Sequence, residues 1–170
     1  MRRALSSRWQ LVTAAVLLVA SGAVASAGDA AAPNVEMRGA KGVRVRLADF
    51  SGKVVLVKLW ASWCPDCQAA FPKLDALHRE YRARGVEVIA VSVDERQKDA
   101  EAFLETRTHE LRVMFDPKAK VLKALGAPGV PTSYIIDRRG IIRFSHEGYD
   151  ETTEASYRRE LEALLAEQPR

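Results

Sequence analysis

Cys64 and Cys67 are the only cysteines in the chain, and they stand three apart in the stretch Trp63-Cys64-Pro65-Asp66-Cys67. The stretch follows an apolar run, Val54 to Trp60, and precedes a helical pattern. Two thiols at this spacing can pass a disulfide back and forth. Attack on a disulfide requires a thiolate, so the working cysteine needs a lowered pKa. A helix N-terminus supplies that through unpaired N–H groups and its positive dipole end. Cys64 falls there, exposed at a strand-to-helix corner, and is assigned as the nucleophile. Cys67 lies one turn inside and is assigned as the resolving thiol, which attacks the mixed disulfide and releases the reduced partner. Pro65 has no N–H to lose at the first helical positions and stiffens the corner. Asp66 suits a helix start, but its charge works against thiolate formation.

A C-x-x-C can also be half of a zinc site, which needs two further ligands at workable spacing. There is no second C-x-x-C, and His78, His109 and His146 fall in three separate predicted elements. They read as a half-exposed helix residue, a solvated loop residue and a strand-end side chain. No metal is expected, and no cofactor beyond the Cys64–Cys67 disulfide. Gly129-Val130-Pro131-Thr132 is the second informative piece, because a Val-Pro bond just before a strand suits a cis proline in a tight turn.

The elements that must hold these residues follow from periodicity and turn signals. Val43 to Leu47 alternates apolar and basic residues as a half-buried strand, with Ser51-Gly52 as a turn. Lys53 to Trp60 reads as a valine-rich strand buried on both faces. Phe71, Leu74, Leu77, His78 and Tyr81 recur at helical spacing within Asp66 to Arg84, and Gly85 ends that helix. Val86 to Val93, Val113 to Phe115, Thr132 to Ile136 and Ile141 to Ser145 are predicted strands. Gln97 to Thr106, Lys118 to Leu125 and Thr153 to Glu167 are predicted helices. Asp137-Arg138-Arg139-Gly140 is a hairpin turn, its arginines solvated. The order β-β-β-α-β-α-β-α-β-β-α predicts an α/β fold with a central mixed sheet flanked by helices on both faces, and an N-terminal β-hairpin whose Val35, Val43 and Val45 cover the sheet, with partner binding as the alternative.

Residues 1–27 are set aside as a leader. Arg2, Arg3 and Arg8 precede the apolar run Leu11 to Ala20, and Ala25-Ser26-Ala27 supplies a small-residue cleavage site. This reads as a secretory signal peptide, with an uncleaved membrane anchor as the alternative. Residues 28–34 form an Ala/Pro spacer without periodicity, and residues 35–170 form the one folded domain. The net charge of +4 falls to +1 once the three leader arginines are set aside, so the body carries no basic footprint for nucleic acid. About 143 residues remain after the leader, enough for a core without a structural staple. A single C-x-x-C in an exported chain is therefore free for redox work.

The run Gly52-Lys53-Val54-Val55-Leu56-Val57-Lys58-Leu59-Trp60-Ala61-Ser62-Trp63-Cys64-Pro65-Asp66-Cys67, then Phe71-Pro72, Gly129-Val130-Pro131-Thr132 and Ile135-Ile136-Asp137, resembles the exported TlpA/ResA/DsbE-type members of the thioredoxin superfamily. The resemblance covers roughly Asn34 to the C-terminus. It implies a thioredoxin-like fold and a redox pair at Cys64 and Cys67. It also implies that Pro131 is a cis proline shaping a substrate groove, with Val130 before it, that Trp63 flanks the nucleophile, and that Pro72 kinks the helix. Two positions depart from the family. Lys58 stands six residues before the nucleophile, where an Asp or Asn is usual, and Ala70 stands three after Cys67, where an acid is common. Lys58 either serves as proton acceptor beneath the thiols, with a pKa lowered by desolvation, or turns its ammonium to the sheet edge and packs only its stem.

The function expected is that of a periplasmic thiol–disulfide oxidoreductase, a monomer that reduces client disulfides and is recharged by a membrane dithiol donor. Candidate clients are apocytochrome c, hence cytochrome c maturation, and copper-site cysteines. Asp66 predicts a potential nearer the roughly −270 mV of thioredoxin than the roughly −120 mV of DsbA. A peroxiredoxin-like peroxidase is disfavoured by Ala61, where a Thr or Ser would precede the reactive cysteine. A copper-binding chaperone is disfavoured by the C-x-x-C spacing, and an inert interaction module by intact Cys64, Cys67 and Pro131.

Overall fold

Seven consecutive residues, Val54–Trp60, are buried along one strand, so its alternating side chains must serve two cores. In the computed structural model, which describes residues 30–167, they do. The elements in chain order are β1 (Ala30–Ala31), β2 (Glu36–Gly39), β3 (Arg44–Arg46), β4 (Val54–Trp60), α1 (Pro65–Tyr81), β5 (Val86–Ser92), α2 (Gln97–Glu105), β6 (Arg112–Phe115), α3 (Lys120–Ala124), β7 (Thr132–Ile136), β8 (Ile141–Glu147) and α4 (Glu151–Ala166). They build one eight-stranded mixed sheet in the order β1-β8-β7-β4-β5-β6-β2-β3. β4 runs parallel to β5 and antiparallel to β7.

The two faces of β4 divide cleanly. Val54, Leu56 and Trp60 pack with Phe71, Leu74 and Leu77 of α1, Phe103 of α2, and Tyr157, Leu161 and Leu164 of α4. Val55, Val57 and Leu59 pack on the other face with Val121 of α3, Met37, Leu47 and Phe50. Helices thus cover both faces, as the alternating pattern predicts. Trp60, Phe71 and Phe103 form an aromatic trio with centroids 5.1–5.4 Å apart, Trp60 tilted against both phenylalanines and these edge-on to each other, which joins the end of β4 to α1 and α2.

The structure changes several expectations. The spacer at 28–34 contains a strand: Ala30–Ala31 pair antiparallel with Ile141 and Ile142 of β8. Backbone hydrogen bonding to an open sheet edge orders residues that have no side-chain period of their own. The leader expectation at 1–27 lies outside the described residues. The N-terminal hairpin, β2–β3, extends the sheet edge beside β6; Val35 and Val45 pack on the second core, while Val43 stays exposed. α4 starts two residues earlier than its apolar period suggests, because Asp150 and Thr153 form a reciprocal capping box. Arg138 is not a solvated turn residue: its guanidinium donates to the carbonyls of Leu164, Leu165 and Glu167 at the end of α4.

Two of the three histidines also differ from expectation, while His146 sits at a strand end as expected. His78 is buried, and burial is the main influence holding its imidazole below its ordinary pKa. His109 is half-buried and stacks edge-on against Phe71 at 5.5 Å. His146 lies near the end of β8 and bonds Glu160 of α4 at 2.7 Å.

Candidate active site

The dithiol sits where β4 ends and α1 begins. Cys64 is the N-cap of α1, with φ −92° and ψ 111°, and its Sγ accepts a hydrogen bond from the Cys67 N–H at 3.2 Å. Pro65 takes the first helical position, where an N–H would have no partner. Cys64 and Cys67 are joined in a disulfide, their Cα atoms 5.2 Å apart. Neither sulfur is as open as the corner suggests: Cys64 is 5% exposed and Cys67 1%. Both lie on the sheet-facing side of the helix start, in the core that holds Trp60 and Phe71, with Val130 packed against it. Cys64 is the outer of the two. Trp63 beside it is 66% exposed and forms the large apolar feature of the rim.

Pro131 arrives from β7. Thr132 pairs with Leu59 and Ser133 with Lys58, so the antiparallel register sets Pro131 opposite Trp60, at the thiol end of the sheet. The Val130–Pro131 peptide bond is cis. The Pro131 carbonyl accepts from Gly148 N–H, and Thr132 Oγ1 donates to the Gly129 carbonyl, which ties the loop at both sides.

Lys58 lies on the same face of β4 as Leu56 and Trp60, beneath α1 and α4, and is only 1% exposed. Its ammonium is not turned to the sheet edge. Nζ donates to Ser133 Oγ at 3.0 Å and Tyr157 OH at 3.4 Å, and lies 5.3 Å from the centre of the Tyr149 ring. Ser133 and Tyr157 bond each other. Burial lowers the Lys58 pKa from 10.5 to about 8, against an opposing pull from the Asp66 carboxylate. Among the described residues no hydrogen bond joins Nζ to either sulfur. Ala70, the second departure from the family pattern, is fully buried and adds no polar group.

Three contributors are absent from the sequence reading. Ser133 and Tyr157 converge on Lys58 from β7 and α4, 75 and 99 residues away. Asp94, just beyond β5, accepts from the N–H and hydroxyl of Ser62, two residues before Cys64. Only one cue pointed toward Asp94: it follows the carboxyl end of a strand parallel to β4, where open α/β sheets place their sites. Among the described residues no three His, Cys, Asp or Glu side chains gather as metal ligands.

A profile of the AhpC/TSA family matches residues 28–145, well over half of the chain. The chain belongs to the AhpC/TSA family. Within it, the likeness is to the TlpA/ResA/DsbE-type thioredoxin-like members. A solved Chlorobium tepidum structure, described as a thiol:disulfide interchange protein DsbE, superposes with a TM-score of 0.77 at 35% identity, covering 80% of this chain and 96% of that one. The exposed lipoprotein thioredoxin Etrx1 of Streptococcus pneumoniae gives a TM-score of 0.69 at 29% identity, covering 78% and 100%. Thiol-disulfide oxidoreductase ResA of Bacillus thuringiensis is 32% identical over 109 residues, 64% of this chain and 63% of that protein. The chain thus spans a little under two thirds of the length of this ResA relative. The family's thioredoxin-like fold agrees with the sheet and helices described above. Among the described residues no helix is long and apolar enough to cross a membrane.

Proposed function

We propose that this AhpC/TSA-family chain is an exported protein-disulfide reductase working through Cys64 and Cys67. The observation that carries the reading is the disulfide at the N-cap of α1, whose outer sulfur stands beside an exposed tryptophan at the end of the sheet where the register sets Pro131 opposite Trp60. In the reduced form, the Cys64 thiolate attacks a client disulfide; one client sulfur leaves as a thiolate and a mixed disulfide forms. The Cys67 thiolate then attacks Cys64 Sγ, the second client thiolate leaves, and the Cys64–Cys67 disulfide closes. Two electrons pass to the client. A membrane dithiol donor restores them by the same exchange, with its own dithiol oxidised.

Cys67 is too buried for bulk water to take its proton readily, and no carboxyl occupies the positions where the family commonly has one. Lys58 takes that part in this reading. A pKa of about 8 leaves a neutral amine fraction near neutrality, and the lysine sits on the face of β4 that α1 covers. Apocytochrome c and copper-site cysteines, both presenting paired thiols, are the candidate clients. The chain works as a monomer in the periplasm, without nucleic acid, metal or added cofactor.

Equilibration of the purified protein with glutathione tests the reading. A midpoint potential near the roughly −270 mV of thioredoxin is expected. A value above about −150 mV would make the protein an oxidant and overturn the proposal. Turnover of hydrogen peroxide at a rate exceeding disulfide exchange would point instead to a peroxidase.

A further inference from the structure

The buried carboxylates of this protein are mostly accounted for by cations or by a helix end. Asp75 pairs with Arg79, Glu87 with Lys53 and Arg112, Asp137 with Arg139 and Arg143, and Glu160 with His146. Asp116 accepts from the N–H groups of Lys120, Val121 and Leu122 at the start of α3. Asp94 differs. It is 3% exposed, and among the described residues it has neither a cation nor a helix to cap. Its donors are neutral: Ser62 N–H at 3.1 and 3.0 Å, Ser62 Oγ at 2.7 Å and Ser92 Oγ at 2.7 Å. With every contact a donor, the side chain fits as a carboxylate, and a buried charge without a counter-ion is costly to keep.

The segment it grips explains its place. Ser62 lies in the turn from Ala61 to Trp63 that delivers Cys64 to the N-cap of α1. Gln68 Nε2 holds the Ser62 carbonyl at 2.6 Å, and Cys64 N–H donates to the Ala61 carbonyl at 3.2 Å. The turn is thus pinned to the end of β5 on one side and to α1 on the other. Two peptide steps separate Ser62 from Cys64, so the Asp94 charge lies on the order of 10 Å from the sulfur. Asp94 is 3% and Cys64 5% exposed, and buried groups are screened far less by dissolved ions than exposed ones.

We propose that Asp94 is a positioning residue for the dithiol: it fixes the turn that presents Cys64, and its uncompensated charge holds back the Cys64 thiolate and keeps the pair reducing. It acts from behind the turn, with Asp66 acting in the same sense from the first turn of α1. Against both stand the N-terminal dipole of α1 and the Lys58 ammonium beneath the sheet face. The inference rests on Cys64 being the attacking sulfur.

The test is the pH dependence of alkylation of each cysteine in the reduced protein by neutral iodoacetamide, read by peptide mass spectrometry, in wild type and Asp94→Asn. The amide keeps the shape and one acceptor but removes the charge. The Cys64 pKa is expected to fall by about one unit. At a pH above the Cys64 pKa of both proteins, the glutathione equilibrium should then move about tenfold toward the reduced form, a rise of about 30 mV. Asp94→Asn that folds, with both quantities within twofold of wild type, overturns the role of Asp94. A wild-type profile in which Cys67 is the low-pKa thiol overturns the assignment of the attacking sulfur instead. Should the variant not fold, the Asp94 carboxyl carbon is followed by NMR through a pH titration of reduced wild type. A step at the Cys64 pKa is expected, and a flat trace there overturns the proposal.

Discussion

Replacing Lys58 by methionine should change how stability depends on pH more than it changes stability at any one pH. The ammonium is withdrawn from water by β4, β7 and α4, and burial brings its pKa from 10.5 to about 8. At 1.36 kcal/mol per unit, holding it protonated in the fold costs about 3 kcal/mol. The folded value lies below the unfolded one, so between them the unfolded chain binds more protons and stability rises with pH. The full cost is felt below about pH 8 and is relieved progressively up to pH 10.5. From about pH 7 to about pH 9.5 the wild type should gain about 2 kcal/mol from this group alone.

Methionine retains most of the apolar stem and brings no charge. It forfeits the bonds to Ser133 and Tyr157, together worth about 1–2 kcal/mol, but those hydroxyls still bond each other. Lys58→Met should therefore be about 1–2 kcal/mol more stable than wild type near pH 7. The advantage should shrink and reverse by about pH 9.5. Urea denaturation of the oxidised protein at both pH values measures this by linear extrapolation. Burial raises the pKa values of Tyr134, Tyr149 and Tyr157, but phenols with raised values lose stability only above their ordinary value of 10.0, outside the window. If the two proteins differ by the same amount, within about 0.5 kcal/mol, at both pH values, Lys58 does not titrate as a buried amine and the reasoning fails.

Two further outcomes follow from the packing. Asp137→Ala should cost about 2–4 kcal/mol in urea denaturation, because the buried carboxylate accepts from Arg139 N–H and Ile141 N–H in the β7–β8 turn and pairs with Arg139 and Arg143. Burial pushes its pKa up, but the bonds from Ile141 and Arg139 prevail and hold it below 3.8; the stability it adds is thus present above that value and lost as pH falls through the folded value, so the penalty should fade in acid. Phe71→Ala removes the ring that touches Trp60, Phe103 and His109 and should cost about 3–5 kcal/mol, while a loss below about 1 kcal/mol would mean that the trio repacks.

Much of the frame was legible because the period of each central element matches its surroundings. β7 occupies the predicted Thr132–Ile136, and β4 begins one residue after the predicted start. The dithiol and Pro131 were legible for a different reason: cysteine and proline have chemistry that few other residues can supply, so their types speak without a partner. What escaped the sequence depended on partners. Ala30–Ala31 became a strand only because β8 offers an edge. Arg138 found the end of a helix that begins 13 residues later. Tyr157 falls inside the predicted terminal helix, and only the fold shows that its hydroxyl meets Lys58. Asp94 follows a predicted strand with no signal of its own until Ser62 is brought to it.

Where the resemblance implies an Asp or Asn beneath the thiols, this chain has a base, and the change need not abolish proton handling. A carboxylate receives a proton by becoming neutral; a lysine receives one by becoming charged. A charged Lys58 would favour a thiolate nearby, whereas the closed disulfide offers it no negative partner, so the lysine's affinity for a proton should rise when the pair is reduced and fall when it closes. Ser133, Tyr157 and the Tyr149 ring suit either state, since hydroxyls accept from an ammonium and can donate to an amine, and an aromatic face tolerates the cation. Asp66 and Asp94, in the proposed mechanism, oppose the Cys64 thiolate while a charged Lys58 favours it. In the proposed mechanism the balance of these charges tunes the dithiol, so substituting any one of them should move the potential without removing the chemistry.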